Sequence, residues 1–242
     1  MKEKIIIIIP SRLASTRLPN KPLAMIAGKT MIQRVYEQAQ KAGIGEVVIA
    51  IDGEEIANEI KKFGGKYILT NPDLPSGTDR IYSAYKLLKQ DFDIIVNVQG
   101  DLPNIDPKVI NECVQLALKS DCDIATVASK ISDISEINNP NVVKIALAQN
   151  GLALYFSRSP IPFSKNINDD YFHHIGIYAY KKNALEKFIN LSPSPLEKRE
   201  SLEQLRALEN GMKIAVKIVD AHPLSVDTQE DLDKVINLIK SQ

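Results

Sequence analysis

Short apolar runs alternate with segments of helical period through the first half of the chain. Residues 5–9 are apolar at every position, which is typical of a central parallel strand buried on both faces. Further strands are predicted at residues 47–51, 67–69, 93–99 and 124–128. Helices are predicted between them at residues 31–42, 56–63, 79–89 and from Pro107 to about Ser120. This alternation predicts parallel βαβ units.

The pattern changes from about residue 138. Apolar segments at residues 142–147 and 152–156 flank Gln149-Asn150-Gly151, and Asn-Gly between two such segments is a strong hairpin signal. Further strands are predicted at residues 174–180 and 214–219, with helices at 184–189, 196–209 and 230–239. The sheet is therefore predicted to be mixed, with the second part an insertion packed on the first.

Composition and charge exclude several classes of protein. The 242 residues are enough to bury a sizeable core, and 30 basic residues balance 30 acidic ones. We therefore expect no nucleic-acid partner, because no global field attracts a polyanion. No apolar stretch approaches the 18 or more residues that span a bilayer, so we expect no membrane span and a cytoplasmic location. Cys113 and Cys122 lack CxxC spacing, which favours buried free thiols.

A loop of three cations, PSRLASTRLPNKP at residues 10–22, directly follows the first strand. Like charges about 4 Å apart repel by roughly 4 kcal/mol at an effective dielectric near 20, so Arg12, Arg17 and Lys21 require an anion between them. This pattern predicts a triphosphate-binding loop. It contains no glycine, which excludes both the Walker-type and the GxGxxG nucleotide motifs. The alternative is a solvated basic loop.

Two other strand ends carry candidate chemistry, since ligands of open α/β sheets bind beyond the carboxyl ends of the strands. Residues 76–80, SGTDR, begin a predicted helix whose N–H groups suit a base edge or an anion. Ser76 or Thr78 as a simple helix cap is the alternative. Asp101 follows the fourth strand, and a lone carboxylate there suffices for Mg²⁺ beside substrate phosphates. A turn-forming aspartate is equally common.

Asp227 is a second candidate magnesium ligand. Its spacing to Glu230 also fits a capping-box-like helix start, so a structural cap is the alternative. A further polar group in the second half comprises Arg158, His173, His174, Tyr178, Tyr180 and residues 200–206. Adjacent histidines on a strand point to opposite faces, which makes them a poor metal pair. Residues 201–206 could instead form a solvated helix face.

Taken in order, these segments closely resemble the 3-deoxy-manno-octulosonate cytidylyltransferase family, the CMP-Kdo synthetases of Gram-negative lipopolysaccharide synthesis. The matching segments cover nearly the whole chain and are PSRLASTRLPNKPL, SGTDRI, VNVQGD, NPNVVK, ALYFSRSPIPF, HHIGIYAY, PLEKRESLEQLR and VDTQEDL. The related sialic acid cytidylyltransferases and sugar-1-phosphate nucleotidylyltransferases share only the opening loop and the general fold. Eight ordered segments are more specific than any single one.

The resemblance implies one domain over residues 1–242 with a nucleotide-diphospho-sugar transferase-like, three-layer α/β/α fold. It implies a mostly parallel mixed central sheet and a packed β-rich insertion. The nucleotide-binding part would be about residues 1–130, and the sugar-binding and dimerisation part about residues 131–225. The implied enzyme is a homodimer that uses Mg²⁺ to join CTP and Kdo into CMP-Kdo and pyrophosphate.

The resemblance also implies roles for individual residues. The catalytic group would be Arg12 and Lys21 on the triphosphate, with Asp101 and Asp227 on the metal. The nucleotide-binding residues would be Pro10, Ser11, Arg12, Lys21, Ser76, Gly77, Arg80 and Gln99. The sugar-binding residues would be Gln99, Arg158, His174, Tyr178, Glu203 and Gln204.

Two positions depart from the family pattern: Asn20 stands where glycine is usual, and Leu102 where an acid is usual. Asn tolerates positive φ, so we expect the loop to keep its shape. Two alternative functions are a cytidylyltransferase for another 2-keto acid sugar, such as 8-amino-Kdo or sialic acid, and a non-catalytic nucleotide-binding protein on the same fold.

Overall fold

The structure, a computed structural model, describes residues 3–14, 17–166 and 169–241. Residue contacts divide the chain into two compact units, Met1–Asn111 with Pro223–Gln242, and Glu112–His222. The predicted class is confirmed: the fold is α/β with a mixed, mostly parallel sheet. The functional boundary near residue 130 remains a prediction.

The strands of the first unit are β1 (Ile5–Pro10), β2 (Met25–Ile26), β3 (Lys29–Thr30), β4 (Glu46–Ile51), β5 (Tyr67–Leu69) and β6 (Ile94–Val98). The four longest form a parallel sheet in the order β6-β1-β4-β5. Ile7 lies opposite both Val47 and Val96, so β1 is paired on both edges. Its isoleucines 6 to 9 are completely buried, as the unbroken apolar run predicts.

The strands of the second unit are β7 (Ile124–Lys130), β8 (Lys144–Leu147), β9 (Ala153–Ser157), β10 (Phe172–Lys181) and β11 (Ile214–Ile218). They pair in the order β11-β7-β10-β8-β9. β11 is parallel to β7, and the other pairs are antiparallel. The hairpin of β8 and β9 closes where the Asn-Gly signal predicts it, with Gly151 at φ 78°.

The α-helices of the chain are α1 (Met31–Lys41), α2 (Glu54–Lys62), α3 (Gly77–Leu88), α4 (Pro107–Lys119), α5 (Lys182–Ile189), α6 (Pro195–Glu200), α7 (Gln204–Glu209) and α8 (Gln229–Lys240). Each of α1, α2 and α3 buries one apolar stripe, which is the arrangement that helical spacing predicts. Within the described ranges, no helix is long and apolar enough to cross a membrane.

One prediction about the helices is wrong. The single helix expected at residues 196–209 is two short helices, α6 and α7, separated at Ser201. Ser201 has φ 53° and ψ 48°, the left-handed conformation that ends a right-handed helix. We call residues 201–204, from the residue after α6 to the first residue of α7, the elbow.

Candidate functional site

A cavity of about 690 Å³ lies in the first unit, within the size range of about 300 to 1,000 Å³ that is usual for ligand sites. All ten residues predicted to bind nucleotide or metal line it: Pro10, Ser11, Arg12, Lys21, Ser76, Gly77, Arg80, Gln99, Asp101 and Asp227. Four further residues also line it, namely Ala14, Arg17, Pro22 and Gly100. The predicted group is therefore brought together around one cavity.

Local backbone structure fixes the position of Lys21. It begins a short 3-10 helix, Lys21–Leu23, and Pro22 supplies the restrained φ that suits the first helical turn. Asn20 precedes this helix at φ 54° and ψ 32°. Asn is one of the residues that adopt this left-handed region, so the expected loop shape is kept without the usual glycine.

An apolar cluster joins the segment around Lys21 to the segment around Asp227. The buried residues of this cluster are Leu18, Ile26, Met31, Val226, Leu232 and Val235. They come from the loop after β1, from β2, and from the start of α1 on one side, and from α8 and the residue just before Asp227 on the other. Hydrophobic burial therefore determines that Lys21 and Asp227 lie close together.

Lys21 bridges both candidate metal ligands. Its Nζ lies 2.9 Å from Oδ2 of Asp101 and 3.0 Å from Oδ1 of Asp227. Arg17 Nη2 lies 3.1 Å from the other oxygen of Asp227. Burial alone would lower the pKa of Lys21, but the charges and hydrogen bonds of the two aspartates outweigh it and raise the pKa. Lys21 is therefore a permanent cation between two carboxylates.

Asp101 is held at the end of β6 by its main chain. The Asp101 carbonyl accepts a hydrogen bond of 3.0 Å from the N–H of Val226. A Cβ added at the neighbouring Gly100 would lie 2.8 Å from the carbonyl oxygen of Pro10, so only glycine allows this close approach of the two strand ends. Leu102, the departure from the family pattern, is buried at 4% exposure and belongs to the core.

The capping role considered for Asp227 belongs to its neighbours. Thr228 is the N-cap of α8, and its Oγ1 accepts from the N–H of Asp231 at 3.2 Å. The Asp231 carboxylate accepts in return from the N–H of Thr228 at 2.9 Å. The capping box is thus Thr228 with Asp231, which leaves the Asp227 carboxylate directed at Lys21 and Arg17.

Asp101 and Asp227 fit the requirements of a divalent cation such as Mg²⁺. No group of three or more His, Cys, Asp or Glu side chains suited to a metal occurs in the part of the chain that the structure describes. Mg²⁺, however, usually takes one or two protein carboxylates and completes its shell with substrate phosphates and water. Asp101 and Asp227 supply these two carboxylates, and both contact the same group, the Lys21 ammonium.

Residues at the start of α3 have two roles, because Ser76 caps the helix and Ser76, Gly77 and Arg80 line the cavity. Ser76 is the N-cap of α3 and accepts from the N–H of Asp79 at 3.1 Å, so the capping alternative is correct for this residue. Arg80 is 2% exposed, and its Nη1 donates to Thr70 Oγ1 at 2.7 Å. Burial lowers the pKa of Arg80, and the nearby charge of Arg12 lowers it further.

Ser11, Arg12 and Gln99 complete the described wall. Ser11 is 5% exposed, and in the described part of the chain its Oγ meets no hydrogen-bond partner. A buried hydroxyl without a partner is costly, so a polar ligand atom would be favourable there. Arg12 is exposed at the cavity. Gln99 Nε2 donates to Asn97 Oδ1 at 3.4 Å.

The remaining predicted sugar residues lie in the second unit. His174 is 6% exposed, and its Nε2 lies 3.0 Å from Thr126 Oγ1. Thr126 donates its single proton to the Ile177 carbonyl at 2.7 Å, so the Thr126 oxygen accepts from His174 and Nδ1 keeps its lone pair. Burial, with the charge of His173, lowers the pKa of His174 to about 3. His174 is therefore a neutral hydrogen-bonding group.

Tyr178 lies beside His174, with ring centroids 5.4 Å apart. Burial, followed by the charge of Glu203, raises the pKa of Tyr178, which keeps its hydroxyl protonated. Glu203 is half-buried in the elbow, and Gln204, 6% exposed, begins α7. Arg158 follows β9 and is half-buried. His174 and Tyr178 thus come from strand β10, and Glu203 and Gln204 come from the elbow.

Comparison with known proteins gives consistent matches over nearly the whole chain. A family profile described as “Cytidylyltransferase” matches residues 6–214. The 3-deoxy-manno-octulosonate cytidylyltransferase of Bartonella tribocorum is 50% identical over 240 residues, which cover 97% of this chain and 98% of the relative. The enzyme of the same name from Rickettsia prowazekii is 48% identical over 240 residues, covering 98% and 96%.

A solved structure is also similar. It is that of CMP:2-keto-3-deoxy-manno-octonic acid synthetase complexed with CTP, with a TM-score of 0.91 and 41% sequence identity. The match covers 98% of this chain and 99% of that chain.

Proposed function

The chain belongs to the 3-deoxy-manno-octulosonate cytidylyltransferase family, and from that membership we propose that it transfers CMP from CTP to the anomeric hydroxyl of Kdo. The products are CMP-Kdo and pyrophosphate, and CMP-Kdo is the activated sugar for lipopolysaccharide synthesis. One observation supports this most strongly: ten residues predicted from family motifs line a single cavity, where Lys21 bridges two carboxylates.

The cavity residues would act by charge and position. Lys21 and Arg12 would donate hydrogen bonds to the triphosphate, since both are cations on the cavity wall. Pro10, Ser11, Ser76, Gly77, Arg80 and Gln99 would bind the nucleotide. Holding the α-phosphorus in line with the attacking hydroxyl and the departing pyrophosphate accounts for most catalysis in reactions of this kind.

Nucleotidyl and phosphoryl transfer typically depends on a divalent metal ion. We propose that Asp101 and Asp227 hold Mg²⁺, because their carboxylates both reach the same point in the cavity. The bound ion would neutralise charge on the attacking and leaving oxygens. Lys21, which both carboxylates contact, would then turn to the phosphates.

His174, Tyr178, Glu203 and Gln204 would form the sugar site within the second unit, and the family resemblance also assigns Arg158 and Gln99 to the sugar. His174 offers a neutral imidazole whose Nδ1 can accept from a sugar hydroxyl. Tyr178 offers a protonated hydroxyl beside it. Neutral donors and acceptors suit a polyhydroxylated ligand, because each sugar hydroxyl both donates and accepts.

We further propose that the enzyme is a cytoplasmic homodimer. Cys113 and Cys122 are both free and buried, as is usual for proteins of a reducing compartment. In the second unit Phe163 is 84% and Leu154 62% exposed, and exposed apolar side chains of this size favour association. Light scattering of the purified protein at several concentrations tests the dimer, and a monomer at all of them would contradict it.

Measuring pyrophosphate release tests the proposed reaction. Each of the four ribonucleoside triphosphates is supplied with Mg²⁺ and either Kdo or sialic acid. We expect release that requires both CTP and Kdo. Release with sialic acid in place of Kdo would assign the chain to a different 2-keto acid sugar, and no sugar-dependent release with any nucleotide would favour the non-catalytic alternative.

A further inference from the structure

The Arg158 side chain is directed at main-chain carbonyls. Its Nε donates to the carbonyl of Glu200 at 2.8 Å, and its Nη2 donates to that of Ser201 at 3.3 Å. Its Nη1 donates to the Pro140 carbonyl at 2.9 Å. The guanidinium therefore binds the last residue of α6, the first residue of the elbow and the loop before β8. Its positive charge is also favourable at the C-terminus of α6, where the last carbonyls of the helix carry partial negative charge.

Lys144 fixes the main chain of Arg158. Its side chain is completely buried, and Nζ donates to three carbonyls: Asn139 at 2.8 Å, Val142 at 2.6 Å and Arg158 at 2.7 Å. An ammonium has three protons, so these three bonds use all of them. Lys144 consequently has no donor left for a ligand, and its charge serves the geometry of the loop and of Arg158.

Glu200 holds Arg158 from the other side. Its carboxylate accepts from the Arg158 N–H at 2.9 Å and from the Ser157 hydroxyl at 2.7 Å. The Tyr155 hydroxyl lies 3.4 Å from the same carboxylate. The end of β9 and the end of α6 are thus joined by two hydrogen bonds that Arg158 donates to Glu200, one from its main chain and one from its side chain.

The elbow is held from its other side by a buried ion pair. Arg206 Nε donates to Glu197 Oε2 at 2.8 Å, and Arg206 Nη2 lies 2.5 Å from Glu197 Oε1. These side chains are only 9% and 13% exposed, so the pair is well shielded from water. Ser201, in its left-handed conformation, needs such support from both sides.

We propose that Lys144, Arg158 and Glu200 form a clamp that positions the elbow, residues 201–204, for sugar recognition. They are positioning residues, which act through Glu203 and Gln204. This inference rests on the proposed function, since it assigns to that function the support of its sugar site. It also changes the expected role of Arg158 from a direct ligand of the sugar carboxylate to a structural support of the residues that contact the sugar.

Three substitutions by side chains of similar size test the clamp: Lys144→Met, Arg158→Lys and Glu200→Gln. Each should raise KM for Kdo by about tenfold or more while KM for CTP stays within about twofold, because a displaced elbow affects sugar contacts alone. Amide hydrogen exchange of the elbow should become faster in each variant. Lys187→Met and Arg199→Lys, both at exposed positions of the second unit, are the matched controls and should change neither quantity.

A double-mutant cycle sharpens the test. Lys144→Met combined with Arg158→Lys should raise KM for Kdo by less than the product of the single effects, since both weaken the same clamp. If Arg158→Lys alone raised KM for Kdo, while Lys144→Met and Glu200→Gln left it unchanged, Arg158 would contact the sugar directly and the clamp would be refuted. Equal shifts in both KM values, or none, would refute it too.

Should Lys144→Met fail to fold, Arg158→Lys and Glu200→Gln test the clamp by the same comparison of KM for Kdo with KM for CTP.

Two outcomes distinguish failure of the clamp from failure of the proposed function. Wild-type protein without Kdo-dependent pyrophosphate release would count against the proposed function, and unchanged hydrogen exchange of the elbow in the variants would count against the clamp alone.

Discussion

Lys21 and Asp227 are separated by 206 residues in the chain, yet Lys21 Nζ lies 3.0 Å from Asp227 Oδ1. The same ammonium lies 2.9 Å from Asp101. The three cations of the opening loop were expected to need an anion, and for Lys21 and Arg17 the protein itself supplies carboxylates. Cations and carboxylates in one cavity are the arrangement that suits a triphosphate with a divalent metal ion.

Lys21→Ala should lower turnover by about a hundredfold or more, because a preorganised charge facing the transferring group contributes several kcal/mol to transition-state stabilisation. Steady-state kcat for CMP-Kdo formation is the measurement. Lys29→Ala is the control, since Lys29 pairs with Glu37 and does not line the cavity. Wild-type turnover in Lys21→Ala would remove Lys21 from the mechanism.

Asp227→Asn and Asp231→Asn should separate metal binding from helix capping. Asp227→Asn should raise the Mg²⁺ concentration for half-maximal activity by about tenfold or more. It should cost less than about 1 kcal/mol of stability, because its ion pairs are partly exposed. Asp231→Asn should instead cost about 0.5 to 2 kcal/mol through the lost capping box and keep the metal dependence.

Asp101→Asn should behave like Asp227→Asn in the same magnesium titration. Early melting of Asp227→Asn with an unchanged magnesium requirement would show that Asp227 is structural. Urea unfolding and the titration, performed on the same protein preparations, distinguish these results.

Gly100→Ala should destabilise the protein by about 1 to 3 kcal/mol, because its Cβ would lie 2.8 Å from the Pro10 carbonyl oxygen and a strand end must move. Gly77→Ala is a matched control for stability: its Cβ would lie 3.5 Å from the Pro10 side chain, an ordinary contact. Urea unfolding measures both. Equal stabilities of the two variants would mean that the strand ends separate without cost.

The buried His174 should make stability depend on pH in the acid range. Its pKa is lowered to about 3 by burial and by the charge of His173, whereas an unfolded histidine titrates near 6.5. The unfolded state therefore binds more protons between these values, so the free energy of unfolding falls as pH drops from about 6.5 toward 3. The stability that neutral, buried His174 contributes is fully present above about pH 6.5 and is lost as the pH falls toward 3.

His174→Gln should reduce that slope by up to about 1.4 kcal/mol per pH unit. Urea unfolding between about pH 6.5 and pH 4 measures it. Burial also lowers the pKa of His173, to about 4. His173 therefore contributes part of the pH dependence, and that part remains in the His174→Gln variant. A slope identical to that of the wild type would show that His174 is not buried in its neutral form.

Much of the nucleotide side of the site could be predicted from the sequence because its signals are local. The continuous apolar run of β1 fixes a buried strand, and the cations that follow it must lie at its carboxyl end. Gly100 and Asp101 follow β6 in the same way. Parallel strands bring these ends to one edge, so the cavity follows from the βαβ pattern.

Other features depend on contacts distant in the chain. The break at Ser201 has no glycine or proline to signal it, and its supports at Lys144, Arg158 and Arg206 become visible only in the folded unit. The sequence pattern also does not predict the hairpin of β2 and β3, because two-residue strands are too short to show a period. The signal that the sequence does offer is Gly28, which forms the turn with Ala27, and both residues have positive φ.

The measurement that tests the central claim most directly is the fate of each phosphate. CTP labelled at the α-phosphate, and separately at the γ-phosphate, is incubated with Kdo and Mg²⁺ and with wild-type protein or Asp101→Asn. We expect the α-label in CMP-Kdo and the γ-label in pyrophosphate, both much slower with Asp101→Asn. Transfer of the γ-label to the sugar, or equal rates for the two proteins, would contradict cytidylyl transfer in this cavity.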